Sequence, residues 1–98
     1  MTLQEFNTIT AHDRLTLVDF YAVWCGPCKA THHILDELEE RMCGRVDVLR
    51  IDIDYHGNAE LVNHFRIMAV PTVVIDGEVT FVGAPSEEEL INALESKL

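Results

Sequence analysis

Two cysteines stand three residues apart in Cys25-Gly26-Pro27-Cys28, a spacing suited to a dithiol that closes to a disulfide and reopens. A bridge there closes so small a loop that chain entropy credits it with only about 2 kcal/mol. That is a weak staple for a 98-residue chain, so the pair is better explained by chemistry than by stabilisation. An apolar run precedes it and a helical pattern follows, which puts Cys25 at a strand-to-helix junction. A helix N-terminus presents unpaired N–H groups and a positive partial charge, and both favour a thiolate. Pro27 suits the first helical turn, where its missing N–H costs nothing, and Gly26 and Pro27 set a tight turn. Cys25 is therefore expected to be the exposed, attacking thiol. Cys28, one turn deeper, is expected to resolve the mixed disulfide. The same spacing is half of a zinc site, but Cys43 stands alone and no second C-x-x-C or H-x-x-x-H follows, so no metal is expected.

Two further residues stand out by type and position. Asp19 lies inside the apolar run Leu17-Val18-Asp19-Phe20, where a carboxylate is hard to justify for stability. Burial there should raise its pKa toward the range of a useful base; the alternative is a solvated carboxylate on a strand face. His32 follows Cys28 by four residues and shares its helix face, while His33 points to solvent. A protonated imidazole beside Cys28 would favour the thiolate and, with an ordinary histidine pKa near 6.5, make the dithiol more oxidising as pH falls. The alternative is a half-buried histidine satisfied by backbone.

The elements that must hold these residues read clearly. Thr2 and Glu5 form a capping-box pattern, with Leu3, Phe6 and Ile9 on one helical face. Leu15 to Ala22 has strand length and strand composition. From Cys28 to Cys43 the pattern is helical, with Thr31, Ile34, Leu35, Leu38 and Met42 as the inner stripe and Gly44 as the stop. Val46 to Ile53 reads as a strand and Ala59 to Phe65 as a short helix. Thr72 to Ile75 and Val79 to Val82 are strands joined by the hairpin signal Asp76-Gly77. Ser86 and Glu89 make a second capping box before a helix with Leu90, Ile91, Leu94 and Leu98 on its apolar face. This α-β-α-β-α-β-β-α order predicts a single α/β domain over residues 1–98. Its mixed four-stranded sheet carries helices on both faces, with parallel pairing of the helix-linked strands and an antiparallel closing hairpin.

The formal net charge is −10, from 17 acidic and 7 basic residues, which repels phosphate backbones and argues against nucleic acid. No apolar run approaches the roughly 20 residues of a membrane span. The first residues lack the basic-then-apolar pattern of a secretory signal, so a cytoplasmic location is expected. Cys43 reads as a half-buried free thiol, His12, His56 and His64 as surface or packing residues, and the acidic runs Asp36–Glu40 and Glu87–Glu89 as solvated helix faces.

The segment Val18-Asp19-Phe20-Tyr21-Ala22-Val23-Trp24-Cys25-Gly26-Pro27-Cys28-Lys29 resembles the active-site segment of the thioredoxin family. Val70-Pro71-Thr72 resembles that family's cis-proline loop, and Gly83-Ala84 the glycine of its substrate groove. The resemblance implies a thioredoxin-like fold and a protein disulfide reductase with no bound cofactor beyond the reversible Cys25–Cys28 disulfide. It implies that Asp19 lies behind Cys28 and exchanges its proton, with Arg50, in place of the usual lysine, biasing its ionisation. It implies a docking surface of Trp24, Gly26, Pro27, Ala69, Val70, Pro71, Gly83 and Ala84 for disulfide-containing proteins. The implied electron donor is a thioredoxin-reductase-like flavoprotein. The chain departs from the family in four residues: Tyr21 replaces a common tryptophan, Arg50 the lysine, Ala69 a glycine, and His33 a helix-kinking proline. It also begins at the first helix, so the family's first edge strand is expected to be missing and Val46–Ile53 to form a sheet edge, guarded by Asp47, Arg50 and Asp52.

Two other functions compete: an oxidant for an oxidising compartment, and a binding module of the same fold without turnover. The Gly-Pro pair and the absent signal favour the reducing enzyme, and a pure adaptor needs none of the Cys pair, Asp19 or Pro71.

Overall fold

A computed structural model describes residues 1–98. The chain runs α1 (Leu3–Ile9), β1 (Leu15–Tyr21), α2 (Gly26–Arg41), β2 (Val46–Asp52), a 3-10 turn (His56–Asn58), α3 (Ala59–His64), β3 (Thr72–Ile75), β4 (Glu78–Val82) and α4 (Glu87–Glu95). The four strands form one mixed sheet in the order β2-β1-β3-β4. Strand β1 is nearly all buried because both its faces are covered. Leu15 and Leu17 pack with Leu35 and Leu38 of α2 and Leu90 and Leu94 of α4. Val18 and Phe20, on the opposite face, pack with Phe6 of α1 and Leu61 of α3. The alternation along β1 therefore points Asp19 toward α2.

Local signals place the element ends. Thr2 Oγ1 accepts from the Glu5 N–H and the Glu5 carboxylate accepts from the Thr2 N–H; Ser86 and Glu89 do the same for α4. Asp76 and Gly77 both take positive φ, as a tight two-residue hairpin requires. Gly44, at φ 83°, turns the chain after α2 toward β2.

Strand pairing departs from the expectation at β3. Strands β1 and β2 are parallel, joined by the 16-residue α2, but β3 is antiparallel to β1 although a helix precedes it. The reason is length. Helix α3 has six residues and rises about 9 Å, against about 23 Å for a seven-residue strand, so it cannot carry the chain back to the far end of the sheet. The chain re-enters beside the end of β1, with Thr72 opposite Phe20, and runs down.

Three smaller expectations are corrected. Cys43 is exposed, because α2 ends at Arg41 and the following turn swings it outward. Ile9 and Leu98, at or beyond helix ends, are exposed and do not complete their apolar faces. The acidic runs are not wholly solvated: Asp36 and Glu39 hold Arg50 at 2.8 and 2.9 Å, and Glu87 holds Arg41 at 2.9 Å. Strand β2 is the outer strand of the sheet, as expected. Two of its charges are tied down, Arg50 on α2 and Asp47 by a two-pronged contact from Arg14 at 3.1 and 3.0 Å.

Candidate active site

Cys25 and Cys28 form a disulfide at the start of α2, with Cα atoms 5.3 Å apart. Cys25 is the N-cap of the helix: its Sγ accepts from the Cys28 N–H at 3.2 Å, and its own N–H donates to the Ala22 carbonyl at 3.1 Å. A helix-end amide thus already points at the Cys25 sulfur, where a thiolate would sit. Cys25 is less exposed than expected, at 5 % against 1 % for Cys28. Ala22, Tyr21, Ile53 and Val70 close around the pair, so Cys25 is only the shallower of two covered sulfurs.

The rim is open. Trp24 is 71 % exposed, and its indole N–H donates to Asp54 at 2.7 Å, which anchors the ring beside the disulfide. Gly26, Pro27, Ala69 and Ala84 are exposed, and Gly83 is half-buried. The Val70–Pro71 peptide is cis, as the sequence resemblance implied. Val70 packs on the cysteine cluster, and the Gly83 N–H donates to the Pro71 carbonyl at 2.8 Å. That bond draws the Gly83-Ala84 segment to the Pro71 loop, so residues far apart in sequence meet at one apolar rim. An apolar groove of about 250 Å³ continues away from it, lined by Phe65, Ile67, Met68, Val79 and Val82, with Met68 95 % exposed.

Asp19 is fully buried, with 0 % exposure. Burial pushes its carboxyl up to about 6, against the opposing pull of His32 first and Arg50 second. Arg50 stands opposite Asp19 in the sheet register but spends its guanidinium contacts on Asp36 and Glu39. His32 is half-buried, as one of its two readings had it, but its buried nitrogen is satisfied by no backbone group. Its Nε2 lies 2.9 Å from Asp19 Oδ2, and its ring meets Tyr21 edge-on at 4.6 Å between centroids. The approach lacks hydrogen-bond alignment, and neither Asp19 oxygen has an aligned hydrogen-bond partner. His33 is exposed, 3.9 Å from Glu37.

Sequence reasoning missed Asp54. Nothing local separates it from the other acids, although parallel β1 and β2 must bring the residue after β2 to the same end as the residues after β1. No group of three or more His, Cys, Asp or Glu side chains is placed to hold a metal ion, and no helix is long and apolar enough to cross a membrane.

The family model described as Thioredoxin matches residues 1–96. The chain belongs to the thioredoxin family. It is 38 % identical over 98 residues to thioredoxin of Bacillus subtilis (strain 168), covering 93 % of this chain and 91 % of that protein. It is 37 % identical over 102 residues to thioredoxin Y1, chloroplastic, of Arabidopsis thaliana, covering 99 % of this chain and 58 % of that one. Among solved structures, chloroplastic thioredoxin z superposes with a TM-score of 0.82 at 30 % identity, covering 98 % of this chain and 89 % of that one. Mitochondrial thioredoxin 3 of Saccharomyces cerevisiae, in its oxidized form, gives 0.80 at 27 % identity, covering 97 % and 90 %. Like other thioredoxins, this one is a thiol–disulfide oxidoreductase, a protein disulfide reductase acting through a redox-active disulfide. Disulfide-containing substrates are what such proteins act on.

Proposed function

We propose that this thioredoxin works at the reducing end of the family's range, with Cys25 as nucleophile and Cys28 as resolving thiol. The Cys25 thiolate attacks a substrate disulfide and displaces one substrate sulfur as thiolate. Cys28 then loses its proton and attacks Cys25 Sγ. The second substrate sulfur leaves, and the Cys25–Cys28 disulfide remains. The observation that carries the order is the Cys28 N–H donated to Cys25 Sγ, because it stabilises a thiolate on Cys25 and not on Cys28. Asp19, behind the pair, takes the Cys28 proton, and Arg50 biases its ionisation from beyond its own ion pairs.

The substrate lies extended over the rim. Trp24, Gly26 and Pro27 flank its cysteine on one side and Ala69, Val70, Pro71, Gly83 and Ala84 on the other, with the Val70 backbone free to pair with it. Two electrons return from a thioredoxin-reductase-like flavoprotein. The setting is a reducing compartment, the cytoplasm. The test is insulin reduction driven by dithiothreitol, together with the reduction potential. A reductase lies near the family's value of about −270 mV, whereas a strong oxidant lies near about −120 mV. A potential at the oxidising end, or no acceleration of insulin reduction, would overturn the reading.

A further inference from the structure

Asp19 presents a problem that the cysteine chemistry alone does not solve. A proton taken from Cys28 as the disulfide forms must reach water if the carboxyl is to ionise again before Cys28 is next reduced, yet the carboxyl has no exposed surface and no aligned hydrogen-bond partner. Its surroundings offer few exits. From β3 the residue opposite is the apolar Val73. From β2 it is Arg50, whose guanidinium stays charged and is held by Asp36 and Glu39. From β1, Tyr21 is the next residue on the same face, and it packs its ring on His32. From α2 comes His32, one turn after Cys28.

His32 alone touches both sides. Its Nε2 is buried and 2.9 Å from Asp19 Oδ2, while its side chain is 31 % exposed. The edge-on contact with Tyr21 holds the ring beside the carboxyl, although the 2.9 Å approach is not aligned as a hydrogen bond. Packing accounts for a ring at this place; it does not account for a nitrogen turned onto a buried acid. Histidine is the side chain suited to passing protons near neutrality.

We propose that His32 is the proton exit of Asp19, a positioning residue that acts through the carboxyl and carries its proton between the buried site and water. This rests on the reading of Asp19 as proton acceptor for Cys28. In the reducing direction the Cys28 thiol gives its proton to the Asp19 carboxylate. The Asp19 carboxyl passes it to His32 Nε2, leaving an imidazolium beside a carboxylate, and the imidazolium releases a proton to water at its exposed edge. Asp19 and His32 return to their starting charges, and no electrons move in these steps. The reverse sequence supplies the proton when Cys28 is reduced. Burial raises the carboxyl toward the range in which it and an imidazole can trade a proton.

The test is rapid mixing of the reduced protein with a peptide disulfide whose two halves carry different dyes, so that attack by Cys25 and resolution by Cys28 are read separately. His32→Ala, and His32→Gln as the variant that keeps side-chain bulk, should both slow release of the second dye about tenfold at neutral pH while the first is released at its usual rate. Free imidazole should restore the rate of His32→Ala. Without His32, the Asp19 carboxyl, followed by its carbon NMR shift, should titrate at higher pH than in the wild type. Resolution within about twofold of wild type in both variants, or slowing that imidazole does not relieve, overturns the proposal. Asp19→Asn separates the two readings. If it slows resolution and the His32 variants do not, only the exit falls; if it leaves resolution unchanged, the role of Asp19 falls and the exit with it.

Discussion

Replacing Asp19 by Asn should make the protein more stable, by an amount that depends on pH. The carboxyl titrates at about 6 in the folded protein and at an ordinary 3.8 when unfolded. The gap of a little over two units is worth about 3 kcal/mol at 1.36 kcal/mol per unit. Because the folded value is the higher one, Asp19 contributes its full stability below pH 3.8, where it is protonated in both states. That contribution is lost as pH rises through about 6, where the folded protein must hold a buried carboxylate. Asn imitates the protonated carboxyl and does not titrate. The stability difference between Asp19→Asn and wild type should therefore grow by about 3 kcal/mol from the acid limit to neutral pH and then level off. Titrations remote from Asp19 are common to both proteins and cancel in the difference, whereas the coupling to His32, 2.9 Å away, is part of the difference measured. Urea unfolding of the oxidised forms across this pH range, with equal slopes required, is the measurement. A difference that does not change with pH, or that shrinks as pH rises, would refute the placement of Asp19 as a buried acid whose ionisation is opposed.

Other parts of the structure make separate predictions. Phe20→Ala empties the core between β1, α1 and α3 and should cost about 3–5 kcal/mol in chemical unfolding. Ser86→Ala removes the acceptor for the Glu89 N–H and should cost about 1 kcal/mol, read as a lower unfolding midpoint. The Glu89 carboxyl is held below its ordinary value by the Ser86 N–H, so that support is present above the ordinary glutamate range and lost as pH falls through the lowered value. Hydrogen exchange at the Ser86 amide should accelerate on acidification relative to a Glu89→Gln variant. Trp24→Phe, which cannot donate to Asp54, should raise KM for a protein disulfide more than it lowers kcat.

What could be read from sequence was what depends on neighbouring residues. The two capping boxes, the Asp76-Gly77 hairpin, the turn at Gly44 and the helix N-terminus beneath Cys25 are local, and each stands where its residues put it. The direction of β3 was not local. It depends on whether six residues of α3 span the sheet, and pattern reading treated any intervening helix as a full crossover. Asp19 was legible as an anomaly, a carboxylate among Leu17, Val18 and Phe20, but its contact with His32 joins a strand to a helix across thirteen positions. Helical spacing correctly put His32 on the face of Cys28 and could not tell which group its nitrogen would meet. The hydrogen bond from Trp24 to Asp54 crosses thirty positions and left no local mark. Exposure of Cys43 turned on the helix ending at Arg41, a boundary set by how the chain enters β2.

The division of labour between the two sulfurs is tested most directly by trapping. Cys28→Ser, mixed in its reduced form with a disulfide-bonded protein and examined by mass spectrometry after acid quenching, should accumulate a mixed disulfide that maps to Cys25, while Cys25→Ser should form none and should reduce no insulin. A mixed disulfide mapped to Cys28, or wild-type insulin reduction by Cys25→Ser, would contradict the account.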